Sequence, residues 1–449
     1  MERTLYGFNS SQDIIDLQTK YTLFKRVANI LFSTTVEGGF DEKLMTATLN
    51  KVIERNDCLR ITFVKDGKET KQYFEQERTI GKVPSLKFCT WAEYDAFICR
   101  FRKKQANPFK GDVFSAVYAV LPTGEQTVIF KISHFVADTY GIGILVKDIF
   151  DVYKALKDGG EMPAPTGSFE AVLKKDLAYK DNAEAIEKDR EFFNNYYKVL
   201  HPNRPMYCGV HGATADKWLK VKRKGGFSMP YFFVKCDTKG YKFTIPAAVV
   251  TKATDWCKEN GITPAAFFYY TCAIATSLVN DREKYQVPLM LLDCRGTIAE
   301  RKAAGTKVQS IGLYVTVDYE KSFQENMAVE FADQNELYKH TKLTYLEVQN
   351  LEHELWGHSM LSQATSFCYS FIPFEAPEGV RMQILSNGKG ALTGYLALML
   401  NVRTMEVDVM YDVQTQLVKP EVLADFQNTY VHVIEAVLAE PGRKLGEIL

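Results

Sequence analysis

Hydrophobic residues near the start of the chain follow two different periods. After Asp41, which can cap a helix, Leu44, Leu49 and Val52 recur at an approximately helical spacing as far as Arg55. The next stretch, CLRITFVKDGKETKQYF, instead alternates apolar and polar positions and contains a Lys-Asp-Gly turn. This change of period predicts a helix followed by a β-hairpin.

A second hairpin is predicted further along the chain. The runs VFSAVYAVL and TVIFKISHF are rich in β-branched and aromatic residues, and a turn over 122–126 separates them, so the second strand ends near His134. Apolar residues then return at helical intervals over 141–156, which predicts a helix directly after the strand. A Gly- and Pro-rich loop at 159–168 follows, and a charged helix is expected around 170–199.

The second half repeats this mixture of strands and helices without a fixed repeat period. Helices are predicted over 246–259, 265–279 and 420–438. An Asn387-Gly388 pair predicts a tight turn. Strands are predicted over GYKFTIP, VPLMLLDCR, SIGLYVTVDY, TSFCYSFIPF, RMQILS, YLALMLNV and MEVDVMYD.

Length, composition and charge restrict the class of protein. At 449 residues the chain has room for about two to three folding units. Its 46% hydrophobic and 13% aromatic content excludes a disordered or fibrous protein. The 55 basic and 55 acidic residues cancel, so no overall field favours nucleic acid or an anionic membrane. Periodicity is poor between 202 and 230, and the predicted organisation is an N-terminal lobe over 1–170, a linker over 171–234 and a C-terminal lobe over 235–449.

Targeting and redox signals are weak throughout the chain. The first residues lack a basic stretch followed by an apolar segment, which argues against a secretory signal. The most apolar window, 265–279, is shorter than the ~18–20 residues that span a bilayer. Nine cysteines are scattered without a CxxC pair, which is unlike a disulfide framework or a zinc ribbon. The expectation is a cytoplasmic protein with reduced thiols.

The most specific local feature for chemistry is KISHFVADTYGIG. His134 ends a β-run, Asp138 follows four residues later, and Gly141 and Gly143 come after it. The unperturbed pKa of histidine suits proton abstraction near neutral pH, so an exposed His134 at a strand end is a candidate general base. A structural histidine with satisfied hydrogen bonds is the alternative, because an HxxxD spacing alone occurs by chance.

Four blocks of sequence resemble the condensation-domain superfamily of acyltransferases, relatives of chloramphenicol acetyltransferase. RNDCLRITF at 55–63 corresponds to the family's RHExLRTxF, and SHFVADT at 133–139 corresponds to its HHxxxDG. The helix-to-strand block at 261–296 contains Arg295, and IGLYVTV at 311–317 resembles VGxFVNT. The tail from MYDVQTQLVKPEVLADF onward also fits the family's ending.

The resemblance implies an α/β fold of two chloramphenicol-acetyltransferase-like lobes. Each lobe would be a mixed sheet with flanking helices, and the active-site tunnel would lie between them. His134 would act in this tunnel as general base, while Asp138 would be structural and held by Arg295 across the lobe junction. A surface arginine at the end of a strand is the alternative reading of Arg295.

The implied activity is transfer of an acyl or aminoacyl group from a carrier-protein or coenzyme A thioester to an amine or hydroxyl acceptor. Amide formation is preferred, as in nonribosomal peptide synthesis. The thioester of phosphopantetheine or coenzyme A would be a substrate, and no tightly bound cofactor and no metal are implied. Neither a nucleic acid nor a membrane span is expected. The starting Met and the length favour a free-standing protein over an excised domain.

Three positions depart from the family pattern. Ser133 replaces the first histidine, Thr139 replaces the motif glycine, and Thr316 replaces an asparagine. A side chain at position 139 stands where close approach of a phosphopantetheine arm would otherwise be unhindered. These departures motivate a second hypothesis, in which the chain is a catalytically inactive module that binds a carrier protein or a synthetase.

Several further residues are candidate contacts for the substrate or for a tetrahedral intermediate, and the serines among them are also candidate nucleophiles. These residues are Ser133, Thr139, Gly141, Thr316, Ser366 and Ser370. A basic cluster is a candidate contact for a coenzyme A phosphate or an acidic carrier-protein helix, with a solvated loop as the alternative. This cluster contains Lys220, Lys222, Arg223 and Lys224.

Two other motifs predict no chemistry. In HELWGH at 353–358 the histidines are five residues apart, about 140° around a helix, so they do not form the zinc pair of a metalloprotease. SNGKGALTG at 386–394 lacks the Lys-Ser/Thr of a phosphate loop and is predicted to be a hairpin turn between two strands. The aromatic residues Tyr140 and 267–270 are expected in the core, or in part along an acyl tunnel.

Overall fold

The structure is a computed structural model, in which the chain folds into two compact units that are both discontinuous in sequence. The segments 293–308 and 374–389 belong to unit 1, although they lie within the stretch from which the C-terminal lobe was predicted. Unit 1 comprises 1–182, 293–308 and 374–389, and unit 2 comprises 183–292, 309–373 and 390–449. The structure describes residues 3–200, 209–210, 229–230, 234–286, 288–357, 362–363, 367–390 and 392–449.

Unit 1 combines a five-stranded mixed sheet, a separate hairpin and six helices among its described residues. The strands are β1 (Asn29–Val36), β2 (Ile61–Asp66), β3 (Glu69–Phe74), β4 (Ser85–Lys87), β5 (Phe114–Val120), β6 (Gln126–Ser133) and β15 (Val380–Leu385). The helices are α1 (Ser10–Tyr21), α2 (Glu42–Arg55), α3 (Trp91–Phe101), α4 (Thr139–Asp158), α5 (Phe169–Lys180) and α9 (Ile298–Arg301). Short 3₁₀ turns cover Lys25–Ala28, Asp57–Arg60 and Pro108–Lys110.

The unit 1 sheet has the strand order β15-β1-β6-β5-β4. All neighbouring strands are antiparallel except β4 and β5, which are parallel. Phe130 of β6 stacks on Phe32 of β1 with ring centres 4.8 Å apart, in the core that α2 and α4 also enter. Ile129, on the opposite face of β6, belongs to a second cluster with residues of α3 such as Ile98. The sheet is therefore buried on both faces around β6, the strand that leads to His134.

The local predictions for unit 1 are largely confirmed. Asp41 caps α2 by accepting a hydrogen bond from the Leu44 amide at 2.7 Å. β2 pairs with β3 and β5 pairs with β6, as the two hairpins predicted. The single charged helix expected around 170–199 is wrong, because α5 ends at Lys180 and a new helix begins at Ala183. Asp181 and Asn182 separate the two, and both residue types favour helix ends over helix interiors.

The RNDCLRITF block stabilises the scaffold of unit 1. The Arg55 guanidinium contacts the buried Asp148 carboxylate, with Nη2 to Oδ1 at 3.0 Å and Nε to Oδ1 at 3.2 Å. The Asn56 amide donates to the other oxygen of Asp148 at 2.8 Å. Asp57 accepts from the backbone amide of Phe169 at 2.8 Å, at the start of α5. The block thus joins α2 to α4 and α5.

Unit 2 contains a six-stranded mixed sheet and seven helices among its described residues. The strands are β7 (Met229–Pro230), β8 (Thr238–Ile245), β9 (Tyr285–Gln286), β10 (Leu289–Asp293), β11 (Val308–Gly312), β12 (Val315–Thr316), β13 (Ser362–Gln363), β14 (Phe367–Phe374), β16 (Gly394–Asn401) and β17 (Glu406–Gln414). The helices are α6 (Ala183–Leu200), α7 (Ala247–Glu259), α8 (Pro264–Val279), α10 (Phe323–Leu337), α11 (Tyr345–Trp356), α12 (Pro420–Ala439) and α13 (Leu445–Ile448). The sheet order is β11-β10-β14-β16-β17-β8, in which β10 and β14 are parallel.

Two strand predictions in the second half are wrong. SIGLYVTVDY forms two strands, because β11 belongs to the six-stranded sheet whereas β12 pairs with β9. The hairpin expected at Asn387-Gly388 does not form: β15 pairs with β1 in unit 1, whereas β16 pairs with β17 in unit 2. Gly388 does adopt a positive φ of 76°. Local sequence thus specifies the turn conformation there, but not the strand partners.

The most apolar helix, α8, is buried within unit 2. Its cap is Thr263, whose hydroxyl accepts from the Ala266 amide at 3.2 Å, as a Thr-Pro start predicts. Tyr269 and Tyr270 are 2% and 1% exposed. In the described part of the chain no single helix has the length and apolar character to cross a membrane, and α7 with α8 meets that criterion only as a pair bent by 114°.

Candidate active site

Backbone hydrogen bonds fix the chain on both sides of His134. β6 ends at Ser133, whose amide donates to the Val113 carbonyl at 2.8 Å. The His134 amide donates to the Ala28 carbonyl at 2.6 Å, and the Val136 amide donates back to the Ser133 carbonyl at 3.0 Å. The chain therefore leaves the sheet in a tight turn that carries His134 at its start.

The environment of the His134 ring favours the neutral imidazole. The residue is partly exposed, but its Nδ1 atom is buried and has no hydrogen-bond partner. Burial lowers the pKa of His134 below its usual 6.5, because it disfavours the charged form, and the carbonyl of His134, the negative charge of Asp138 and the carbonyl of Ala137 offset part of this effect. At pH 7 the ring is therefore mainly unprotonated, the state that a general base requires.

Asp138 is the N-cap of α4, and its carboxylate accepts four hydrogen bonds. Oδ1 accepts from the Gly141 amide at 2.7 Å and from Arg295 Nη2 at 3.2 Å. Oδ2 accepts from the Lys307 amide at 2.7 Å and from Arg295 Nη1 at 3.0 Å. Because a carboxylate offers about four lone-pair directions, Asp138 has none left for a proton relay to His134.

The buried Arg295 guanidinium donates to several further acceptors besides Asp138. Its side chain is 1% exposed, and Nη1 also donates to Asp293 at 2.7 Å. The guanidinium further bonds the carbonyls of Ala303 and Gly305, and it lies 4.8 Å from the centre of the Tyr140 ring. The alternative reading of Arg295 as a surface residue is wrong.

The Asp138–Arg295 ion pair forms as predicted, but its location differs from the prediction. Both residues belong to unit 1, since 293–308 is part of that unit, so the pair does not bridge a lobe junction. The pair joins the start of α4 to the 293–308 segment. Sequence reasoning missed the Asp293 carboxylate, which lies only two residues before Arg295. It also missed the Lys307 amide and the carbonyls of 303 and 305, because backbone partners carry no sequence signal.

Gly141 is packed against the same segment. A Cβ atom at this position would stand 1.9 Å from the Ala304 carbonyl oxygen, a backbone atom. The helix start therefore approaches 303–305 more closely than any other residue type allows. Of the sequence-predicted contacts, Ser133 is buried at the end of β6, and Thr139 is the first residue of α4.

We expect Gly141→Ala to destabilise the protein by about 2 kcal/mol or more, because the added methyl group must displace a backbone carbonyl. Gly143→Ala is the matched control, since a Cβ there meets no atom within 4 Å and alanine is the better helix former. Chemical denaturation of the two variants and the wild type measures both effects. Equal stability of the two variants would show that the 303–305 segment can move away from the added methyl group without lowering the free energy of unfolding.

The remaining predicted site residues lie in unit 2 or outside the described residues. Thr316 is in β12, and its carbonyl accepts from Tyr270 Oη at 3.1 Å. Ser370 is buried in β14. The predicted residues outside the described ranges are Ser366, Lys220, Lys222, Arg223 and Lys224. Of the HELWGH motif, which predicted no site, His353 lies in α11 and His358 lies outside the described residues.

Glu330 is a buried carboxyl group that the sequence analysis missed. It is 5% exposed, its Oε1 accepts from the Thr316 amide at 2.9 Å, and its Oε2 is buried without a partner. Burial raises the pKa of Glu330 to about 8, and Asp333 adds to the shift. The spacing of Phe323, Met327 and Glu330 along α10 places Glu330 on the buried face, and this was the available signal.

We expect Glu330→Gln to stabilise the protein increasingly as pH rises from 5 to 8. A carboxyl group with an unfolded pKa of 4.5 and a folded pKa of about 8 stabilises the fold fully only below the unfolded value, and this contribution is lost as pH approaches 8. At roughly 1.4 kcal/mol per pH unit, the variant should gain about 3 kcal/mol over the wild type between these limits. Unfolding free energies of the variant and the wild type at pH 5, 6.5 and 8 measure this gain. Glu435→Gln, at an exposed position of α12, is the control. A pH-independent difference would contradict the buried, protonated state.

Comparison with protein families and curated proteins connects the chain to peptide synthetases. The family model of the condensation domain matches residues 17–206. A plipastatin synthase protein of Bacillus subtilis (strain 168) is 20% identical over 447 residues, which cover 94% of this chain and 16% of the synthase. Surfactin synthase subunit 1 of the same organism is 19% identical over 458 residues, covering 100% of this chain and 12% of that relative. The chain thus spans only a small part of the length of these relatives.

Solved structures show the same fold. A variant of the starter condensation domain of rhizomide synthetase, in complex with C8-CoA, superposes with a TM-score of 0.79 at 18% identity, covering 99% of this chain and 97% of that one. The first condensation domain of the calcium-dependent antibiotic synthetase, in complex with a substrate analogue, gives a TM-score of 0.80 at 15% identity and 99% coverage of both chains.

The two sheet-containing units therefore have the mixed α/β fold of condensation domains, as the sequence predicted. The condensation-domain family model matches residues 17–206 and the whole chain has the condensation-domain fold, which agrees with the resemblance carried by its four sequence blocks.

Proposed function

We propose that this protein is an acyltransferase that moves an acyl or aminoacyl group from a thioester to an amine or hydroxyl, with His134 as general base. The observation that supports this most is a neutral histidine at the end of β6, on a turn held by a buried Asp138–Arg295 pair. A structural histidine would be expected to use both ring nitrogens in well-formed hydrogen bonds, whereas Nδ1 of His134 has no partner at hydrogen-bond geometry and, among the backbone groups of the described residues, only the carbonyls of His134 and Ala137 lie close enough to affect the ring.

The two ring nitrogens of His134 differ in what they can reach. Nδ1 is buried, so contact with a substrate falls to Nε2. In the proposed step Nε2 takes a proton from the acceptor amine while the amine lone pair attacks the thioester carbonyl. The tetrahedral intermediate then collapses, its C–S bond breaks, and the leaving thiolate takes the proton back from the imidazolium. The products are an amide, or an ester for a hydroxyl acceptor, and a free thiol.

Asp138 and Arg295 position the base and take no part in the proton transfer. All four lone-pair directions of Asp138 are used by the Arg295 guanidinium and by the amides of Gly141 and Lys307. The ion pair therefore holds the start of α4 and the turn before it in one arrangement. Positioning of this kind contributes to catalysis because a small misplacement of the base lowers the rate steeply.

The donor in this proposal is a thioester of coenzyme A or of the phosphopantetheine arm of a carrier protein. The rhizomide synthetase domain, which was solved with C8-CoA, supports this class of donor. The peptide-synthetase relatives support an amine acceptor, an amide product and a place in nonribosomal peptide synthesis. Ser133, Thr139, Thr316 and Ser370 remain proposed substrate contacts.

Mass spectrometry of reaction mixtures tests this proposal. The protein is incubated with acyl-CoA thioesters of several chain lengths and with amino acid thioesters of N-acetylcysteamine, each with a panel of amines. We expect one acylated amine and one free thiol per turnover, in amounts proportional to protein. Saturable binding of a thioester without any product would instead favour the inactive binding module.

A further inference from the structure

The carbonyl of Phe135, the residue directly after His134, accepts a hydrogen bond from a side chain of α1. Gln12 Nε2 donates to this oxygen at 2.9 Å, although the two residues are 123 positions apart in the sequence. Gln12 lies in the first turn of α1 and is 0% exposed. A buried amide from the start of the chain therefore fixes the backbone immediately after His134.

Every hydrogen-bonding position of the Gln12 amide is occupied. Oε1 accepts from the Asn9 amide at 3.1 Å and from Gln72 Nε2 at 2.7 Å. Nε2 donates to Gln72 Oε1 at 2.8 Å as well as to Phe135. An amide rotated by half a turn would place its NH₂ group against the Asn9 N–H and its oxygen against the Phe135 carbonyl, so only one orientation fits. The donor is thus directed at Phe135 by protein groups alone.

The ring of Phe135 is held by the same N-terminal segment. Its centre lies 5.6 Å from that of Phe8 and 5.1 Å from that of Phe63, and the Phe8 and Phe63 rings are 4.9 Å apart. All three residues are buried. Tilted and edge-to-face aromatic pairs of this kind pack with a defined geometry. Residues 8–12 therefore hold both the side chain and the carbonyl of Phe135.

The start of α1 also contacts the segment that binds Asp138. The side chains of Asn9 and Ser11 donate to the backbone carbonyls on either side of Lys307, at 3.0 and 2.7 Å. The Lys307 amide in turn donates to the Asp138 carboxylate. The first turn of α1 and its cap thus support the loop from His134 to Asp138 at both of its ends.

We propose that Gln12 is a positioning residue for His134 and acts through the carbonyl of Phe135. This inference rests on the proposed acyl transfer, because it assigns a residue that keeps the base of that reaction in place. A shift of the Phe135 carbonyl moves the turn, and with it the neighbouring His134 side chain. A misplacement of about 1 Å can cost roughly 10²-fold in rate. Because Gln12 acts on the backbone, its loss should lower kcat and leave KM unchanged.

The kinetics of Gln12→Met test this role. Methionine has a similar length but cannot donate to Phe135, so we expect kcat to fall about tenfold or more while KM changes by less than about twofold. Gln18→Met, at a partly exposed position of the same helix, should keep the wild-type kcat. Asp41→Ala, which removes the cap of α2, controls for lost stability, because its melting temperature should fall while its kcat stays at the wild-type value.

Gln12→Glu tests the hydrogen bond within a single protein, because pH then controls the donor. The introduced carboxyl group can donate its O–H to the Phe135 carbonyl while it is protonated, and cannot once it is ionised. Burial favours the protonated form, as it does for Glu330, whose pKa it raises to about 8. Compared with the wild type at the same pH, we expect kcat within about threefold at pH 6.5 and a loss of about tenfold by pH 9. Gln18→Glu should follow the wild-type profile.

The His134 ring reports on its own position without turnover. In protein with ¹³C-labelled histidine, the His134 signal is the one missing from His134→Ala, and its titration gives the pKa of the ring. Burial lowers this pKa, and among the described residues Asp138 is the charged group that acts on the ring. We expect the pKa of His134 to rise toward 6.5 in Gln12→Met, because a loosened turn admits water, and to stay at the wild-type value in Gln18→Met.

Wild-type kcat in folded Gln12→Met would overturn the positioning role. A loss of kcat in Asp41→Ala as large as that in Gln12→Met would also overturn it, because the effect would then follow stability alone. If Gln12→Met does not fold, Gln12→Glu decides, and a kcat that keeps the same ratio to the wild type at pH 6.5 and pH 9 would overturn the role.

The titration of His134 separates this inference from the proposed function. If no acyl transfer is found but the pKa of His134 responds to Gln12→Met as expected, the proposed function fails and Gln12 still positions the ring. If transfer occurs and neither kcat nor the pKa of His134 responds, the positioning role fails alone.

Discussion

His134→Ala should lower the rate of acyl transfer by roughly 10² to 10⁴-fold, the range that general base catalysis contributes. The substitution removes the only group in the proposal that accepts the acceptor's proton. Stability should change little, because the His134 ring is partly exposed and its Nδ1 makes no hydrogen bond. Single-turnover rates with the best thioester and amine pair measure the loss, and thermal unfolding confirms that the variant is folded.

The pH profile provides a second readout for His134. Since burial lowers the pKa of His134 below 6.5, the wild-type rate should stay level from pH 8 to pH 6.5 and fall only at more acidic pH. His134→Ala should lose this acidic limb, and His432→Ala, at an exposed position of α12, should retain both the rate and the limb. Undiminished turnover by a folded His134→Ala protein would mean that another base acts, and the assignment would be withdrawn.

Asp138→Asn should reduce the free energy of unfolding by roughly 3 kcal/mol, because removing one partner of a buried ion pair leaves the buried Arg295 charge with only the more exposed Asp293 as a counter-charge. The new amide group would also face N–H donors of Gly141, Lys307 or Arg295 in place of an acceptor oxygen. Denaturant unfolding measures the loss. Turnover should fall with stability, since the turn that carries His134 loses its anchor.

Asp293→Asn is the matched control for the Asp138 variant. Asp293 contacts the same guanidinium at 2.7 Å, but its side chain is 35% exposed, so solvent screens the interaction and its loss should cost at most about 1 kcal/mol. An Asp138→Asn protein as stable as the wild type would contradict the orienting role. An Asp138→Asn protein of normal stability, in which only the acidic limb of the pH–rate profile had shifted, would indicate instead that Asp138 acts as a proton relay.

Elements with strong local signals were predicted closely from the sequence. Asp41 caps α2, Thr263 caps α8, and β6 ends one residue before His134. Capping and periodicity act over one or two turns of chain, so a single sequence contains the information needed. The HxxxD spacing likewise led to His134 and Asp138, and the family resemblance supplied Arg295 as the partner.

Long-range pairings could not be predicted in the same way. Asn387 and Gly388 were expected to join two paired strands, yet β15 and β16 enter different sheets. The segment with Arg295 was expected in the second lobe, yet it belongs to unit 1. Strand partners and domain membership depend on contacts between residues far apart in sequence, and the hydrophobic pattern of one strand is compatible with many partners.

The sequence by itself determined the secondary structure around the site and the proposed base, His134, and through the family resemblance it predicted the Asp138–Arg295 ion pair. Only the tertiary structure decided the electrostatics, because these depend on burial by distant residues. Burial lowers the pKa of His134, and it places Glu330 where its pKa rises to about 8. The sequence does not show whether an ionisable residue is surrounded by water or by protein. These surroundings decide which protonation state of the residue is stable and whether its polar atoms can contact a substrate.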